Sequence, residues 1–144
     1  MGDPYQEKSF AENPYYRKRD IAGRLVVVLS GRLENRGLQL IVPISRAVQK
    51  NQVHELIVTD EAAAGPGRQV QKIAYLGFVE FSSGGVMVTG DEVFCAGRLL
   101  GEIAGFDETH LPNHLNIVLR SKERRDGREL KLDLDSEIVI KKRN

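Results

Sequence analysis

The side chains best suited to chemistry are concentrated between Phe106 and His114, in the stretch FDETHLPNH. Two of the chain's three histidines, His110 and His114, stand there with Asp107, Glu108 and Asn113. Imidazole and carboxylate together suit zinc, iron, nickel or manganese, so His110, His114 and Asp107 are candidate ligands of a divalent transition metal. The same residues can bind a small polar ligand or exchange protons with one. His110 and His114 are four residues apart, which on a helix would point both rings the same way. Pro112 lies between them, so a continuous helix is not expected and a loop must gather the side chains. Ordinary turn chemistry explains the same residues: Asp107 or Thr109 can cap a turn, and Asn113 after Pro112 can bond its own backbone. Without a recognised ligand or catalytic spacing, the cluster indicates a place and not a reaction.

Two further residues complete the candidate ligand-binding set. His54 lies within VHELIVT (Val53 to Thr59), which alternates as a strand. Its neighbour Glu55 points to the opposite face, so the two cannot act on one ligand. On a face shared with Leu56 and Val58, His54 reads as a structural histidine unless the fold carries it to the 107–114 loop. Asp60 opens the turn-rich insertion DEAAAGPGR and can supply a further carboxylate. In that insertion Gly65-Pro66-Gly67-Arg68 could cradle an anion through backbone N–H groups. It matches neither the Walker nor the dinucleotide pattern, both of which need a following helix, so a surface loop is expected. Cys95 has no basic neighbour in sequence and reads as a small buried residue. No serine stands in a nucleophile-elbow setting, which removes triad hydrolysis. An enzyme would need His54 or Asp60 to converge on the loop and supply an acid and a base, or a metal.

The elements that must position these residues are mostly short strands. Leu25-Val-Val-Val-Leu29 is a β-branched run, and Glu34 to Gly37 is a turn before a returning strand at Leu38 to Val42. Pro43 ends that strand. Ile44 to Asn51, with Ile44, Ala47 and Val48 at helical spacing, is the one expected short helix. Gln69 to Phe81 is extended, with Ile73, Tyr75, Gly77 and Val79 assigned to one face. Further strands follow at Val86–Val88, Glu92–Ala96, Leu99–Ile103, His114–Arg120 and Ser136–Lys141, with glycine at nearly every junction. In His114–Arg120, Leu115, Ile117 and Leu119 are expected in the core, with His114, Asn116, Val118 and Arg120 opposite. The pattern specifies an all-β domain, best satisfied by a small closed or nearly closed barrel, since closure removes exposed edges. Residues 1–20 (MGDPYQEKSFAENPYYRKRD) show no period and are expected to form a flexible or draped arm, leaving 21–144 as the single domain.

Composition excludes several functions. At 144 residues the chain can bury a core without staples, and its 28% charged residues are ordinary for a globular protein. Net charge is +1, from 21 basic and 20 acidic side chains, which gives no reason to expect nucleic acid or a membrane surface as partner. One cysteine excludes an internal disulfide and a multi-cysteine zinc site, and no leader or membrane-crossing run is evident. A cytoplasmic protein is expected, with a homodimer left open.

The stretches GFDETHLPNHLNIVLR (Gly105 to Arg120), VHELIVTDEAA (Val53 to Ala63), AYLGF (Ala74 to Phe78) and GDEV (Gly90 to Val93) resemble a small family of bacterial proteins of uncharacterised function. The likeness covers nearly all of Tyr15 to Ile140 and implies no activity. A second resemblance is to the sorbitol-specific enzyme IIA component of the sugar phosphotransferase system, a small β-barrel. It rests on the rhythm of Leu99-Leu-Gly-Glu-Ile-Ala104 followed by Asn113-His-Leu-Asn-Ile-Val-Leu119. In that family the phosphorylated histidine falls where this chain reads Val58-Thr59-Asp60, and no histidine stands there. The expected function is a binding or accessory module for a small polar ligand or metal at the 107–114 loop. A metal- or His/carboxylate-dependent enzyme using that loop, and a phosphocarrier-like barrel, are the alternatives.

Overall fold

The computed structural model describes residues 18–143. The expected arm therefore lies almost wholly outside the described residues; of it only Lys18–Asp20 are seen, with no regular structure. The described residues form twelve strands and no helix. They are β1 (Ile21–Val28), β2 (Arg32–Leu33), β3 (Leu38–Gln39), β4 (Ser45–Val48), β5 (Val53–Thr59) and β6 (Gln69–Val70). β7 (Ile73–Phe81), β8 (Gly85–Val88), β9 (Glu92–Cys95), β10 (Arg98–Asp107), β11 (Asn116–Arg120) and β12 (Glu137–Lys141) complete the set.

Seven strands form a nearly closed ring in the order β1-β12-β9-β10-β11-β5-β7, with β7 pairing back onto β1. Its pairings are antiparallel except for β11 with β5, which run parallel in the register Asn116↔Glu55 to Arg120↔Thr59. Ring closure satisfies the backbone groups that an open sheet would leave exposed. Leu25, Leu56, Leu76, Phe81, Ile103, Phe106, Ile117 and Ile140 belong to its main core. Each such side chain contributes roughly 1.5–3 kcal/mol by leaving water.

The outer face is also covered over part of the ring. β3 and β6 form a two-stranded flap. Beneath it Leu38, Leu40, Ile57, Ala64, Val70, Ile73, Ala104 and Val118 make a second apolar cluster. β5 and β11 are consequently buried on both faces. Leu115, Ile117 and Leu119 sit in the main core, as the alternation implies, while Val118 lies opposite them under the flap.

Two expectations are corrected. Ser45–Val48, expected to be helical, is β4, paired antiparallel with β8. Eight residues of helical spacing cannot outweigh a partner strand, because a helix that short is unstable by itself. The assignment of Ile73, Tyr75, Gly77 and Val79 to one face fails at a bulge. Ile73 packs under the flap with Tyr75 against it, whereas Val79 joins Ala74, Leu76 and Phe81 in the main core. The register of β7 slips against both β1 and β5 around Gly77. A Cβ on Gly77 would stand 2.1 Å from the Val27 carbonyl oxygen, so only glycine allows β1 this close.

Candidate functional site

Register builds the site. Asp107 on β10 pairs with Asn116 on β11, and Asn116 pairs with Glu55 on β5. Paired residues share a face, so three polar side chains form a row across three strands, with about 4.8 Å between neighbours. All three are buried: Asn116 at 0%, Asp107 at 1% and Glu55 at 6% exposure. The 107–114 loop, which includes a cis Leu111–Pro112 peptide, folds over one end of the row.

Asp107 anchors the loop. Its carboxylate accepts from the N–H groups of Gln39 and Thr109, the Thr109 hydroxyl and the Asn116 amide, all at 3.0–3.1 Å. Burial would raise its pKa, but these donors outweigh it and hold the carboxyl below the ordinary 3.8. The bond from Gln39 also pins the flap to the ring.

Glu55 has no such set of donors. Its Oε1 lies 3.2 Å from His114 Nε2. The Asn113 amide nitrogen, which can only donate, lies 2.8 Å from His114 Nδ1. That fixes the proton on Nε2, from where it is donated to Glu55. Burial pushes the Glu55 pKa above 4.5, against the pull of His110 and Arg36. Burial lowers the His114 pKa, and the Asn116 amide partly opposes this. Asn116 Oδ1 itself is buried without a well-formed hydrogen bond among the described residues.

The row continues outward. The rings of His110 and His114 are 4.9 Å apart and tilted by 32°, and Phe78 meets His114 edge-on at 5.0 Å. Arg36 Nη2, an obligate donor, lies 3.2 Å from His110 Nε2, which places the His110 proton on Nδ1. Two imidazoles thus link a half-buried guanidinium to a buried carboxylate.

The other expected residues divide clearly. His54 does reach the loop, but Nδ1 accepts the Leu115 N–H at 2.9 Å while its ring packs 6.0 Å from Phe81 on the inner side. Burial, then the Arg46 and His114 charges, lowers its pKa. Glu108 pairs with Arg46 at 3.1 Å at the loop's edge. Asp60 is not with the others. It follows the far end of β5, six residues beyond His54, or roughly 20 Å along a strand, and lies 3.7 Å from Arg124. Among the described residues no three His, Cys, Asp or Glu side chains are grouped to hold a metal ion. Cys95 is buried with a raised pKa, chiefly from desolvation, consistent with an inert thiol.

Glu55, Asn116, Arg36 and Phe78 were not among the sequence candidates. The parallel β5–β11 register aligns Glu55 with Asn116, and no local pattern in either strand announces that pairing.

Fold and row together define a small all-β protein with a buried polar row across β10, β11 and β5. The chain belongs to the family of unknown function DUF6917, whose model matches residues 15–141. No curated protein and no solved structure matches it. Among the described residues no helix is long and apolar enough to cross a membrane.

Proposed function

We propose that the protein is a binding module for a small polar ligand, taken up where the 107–114 loop covers Glu55 and Asn116. The observation that supports this most is the mismatch within the buried row: Glu55 and Asn116 Oδ1 offer more acceptor capacity than their neighbours use. A buried acceptor without its donor is costly, so a hydroxyl or ammonium group arriving there would be favoured by the unmet demand. Arg36 at the outer end suits an anionic group on the same ligand. The ligand class is therefore a small molecule with a donor-bearing end and an acidic end, such as a hydroxy or amino acid.

An acid–base enzyme at the same place is the second reading. It is favoured by the Glu55–His114 contact, where a carboxyl pushed up and an imidazole pushed down bring two proton-exchanging groups together. A metal at His110 and His114 is less favoured, because Asp107, the expected third ligand, is filled by four protein donors.

The test is a thermal-shift screen of hydroxy acids and amino acids, with elemental analysis of the purified protein. Binding lost in Glu55→Gln and Arg36→Ala, with no stoichiometric metal, is the expected result. Binding that survives both substitutions would sink the reading, and transition metal lost in a His110→Ala/His114→Ala variant would restore the metal site.

A further inference from the structure

The ring's other end holds a second concavity. β5 and β11 run parallel, so both deliver their C-terminal residues to one place, where Asp60 follows β5 and Ser121–Lys122 follow β11. With β9, β10 and Arg143 they line a groove of about 550 Å³. That volume suits a small molecule.

The groove's charges are organised in layers. Glu92 and Glu102 face each other directly across β9 and β10, a pairing of like charges that destabilises a sheet unless neutralised. Arg120 and Arg143 both bind the Glu102 carboxylate, and Arg120 also donates to the Ala64 carbonyl. Arg120 is thus held from two sides, whereas Arg143 among the described residues pairs with Glu102 alone and is 64% exposed on its side chain. Lys122 makes no side-chain hydrogen bond or ion pair among the described residues. Among the described residues Asp60 has only a long contact, to Arg124 at 3.7 Å. Both signs are therefore available at the rim. Ala62, Leu99 and Leu100 also line the groove, with Leu99 52% exposed. At Gly101 a Cβ would stand 2.7 Å from the Arg120 carbonyl oxygen, so the glycine lets β10 and β11 close up behind the groove.

We infer that this groove is a second ligand site, for a small zwitterion with an apolar body, of the amino-acid type. The ligand's carboxylate meets Arg143 and Lys122, its ammonium meets Asp60 and Glu92, and its apolar part covers Leu99. Arg143 can turn to the ligand without stripping Glu102 of its charge partner, because Arg120 stays in place. Opposite charges around one groove select for molecules carrying both and against those carrying one.

The experiment is amide-resolved NMR titration of the full chain with L-leucine, 4-methylpentanoate and 3-methylbutylamine, which share a branched body and differ in charge. Leucine is expected to shift the Gly101 and Ser121 amides saturably. Each single-charge analogue is expected to bind about tenfold more weakly or worse. Arg143→Ala and Asp60→Asn should each weaken leucine by about tenfold, since both side chains lie at the rim and neither is in the core. No saturable shift with leucine, equal binding of the analogues, or indifference to both rim substitutions would overturn the assignment.

Discussion

Asp107 and Glu55 are two buried carboxylates on either side of the same asparagine, yet their environments drive them in opposite directions. Asp107 collects four donors and is held ionised below its ordinary pKa. Glu55 has an imidazole for company and is pushed upward by burial. Equal burial therefore says little about role; the supply of donors decides it. The first carboxylate is part of the scaffold, and the second has few donors of its own.

Asp107→Ala should be the most damaging change to this contrast. It strips the acceptor from Gln39, Thr109 and Asn116, and at about 1–3 kcal/mol for each buried donor left unpaired the loss should reach roughly 3–5 kcal/mol by urea denaturation. Ile117→Ala, on the inner side of β11, should cost roughly 2–5 kcal/mol through lost burial and a cavity. A near-neutral result would contradict the packing of β11 between two cores.

The pH dependence separates the same groups. His54 and His114 have folded-state pKa values below 6.5, so the unfolded chain takes up protons first as pH falls. Their contribution is complete above pH 6.5 and is lost as acidification proceeds through their lowered values. Asp107 behaves likewise at lower pH, with stability lost below about 3.8. Glu55 has the opposite sign: its contribution is full below pH 4.5 and declines as pH rises through its raised value. Urea midpoints from pH 8 to 4 should therefore fall first near pH 6.5, and a His54→Gln/His114→Gln variant should flatten that step.

Glu55→Gln should change stability by less than about 1 kcal/mol, because the amide keeps the shape and relieves a buried charge. If it costs as much as Asp107→Ala, the two carboxylates are alike and the contrast collapses. The smallest effect is expected for exposed His110: substitution by alanine should stay within about 1 kcal/mol by thermal melting while removing ligand binding. A large drop in melting temperature would make His110 structural.

The sequence carries the all-β class plainly, since glycine-punctuated alternation recurs from Ile21 to Lys141. It carries the loop too, because His110, His114 and Asp107 are neighbours in the chain. Glu55 was out of reach for a specific reason. The alternation of VHELIVT correctly turns His54 inward and Glu55 outward, but it does not reveal that the outward face lies beside Asn116 and under a loop sixty residues away. Asp60 misleads in the reverse sense: it is near His54 in number and a strand's length from it in space. The Gly77 bulge shows the same limit, since a one-residue slip reverses every later side chain and depends on Val27 from another strand.

The ring is closed by partners from opposite ends of the described chain, with Ile21 facing Ile140 and Arg24 facing Glu137. During synthesis β1 must therefore wait for β12, and the edges of β1 and β9 stay unpaired until residue 141 has left the ribosome. Unpaired edges on a nascent chain invite pairing with neighbouring chains. For this protein the hazardous interval lasts until Glu137–Lys141 is free to pair, and loss of that strand would leave open edges on β1 and β9.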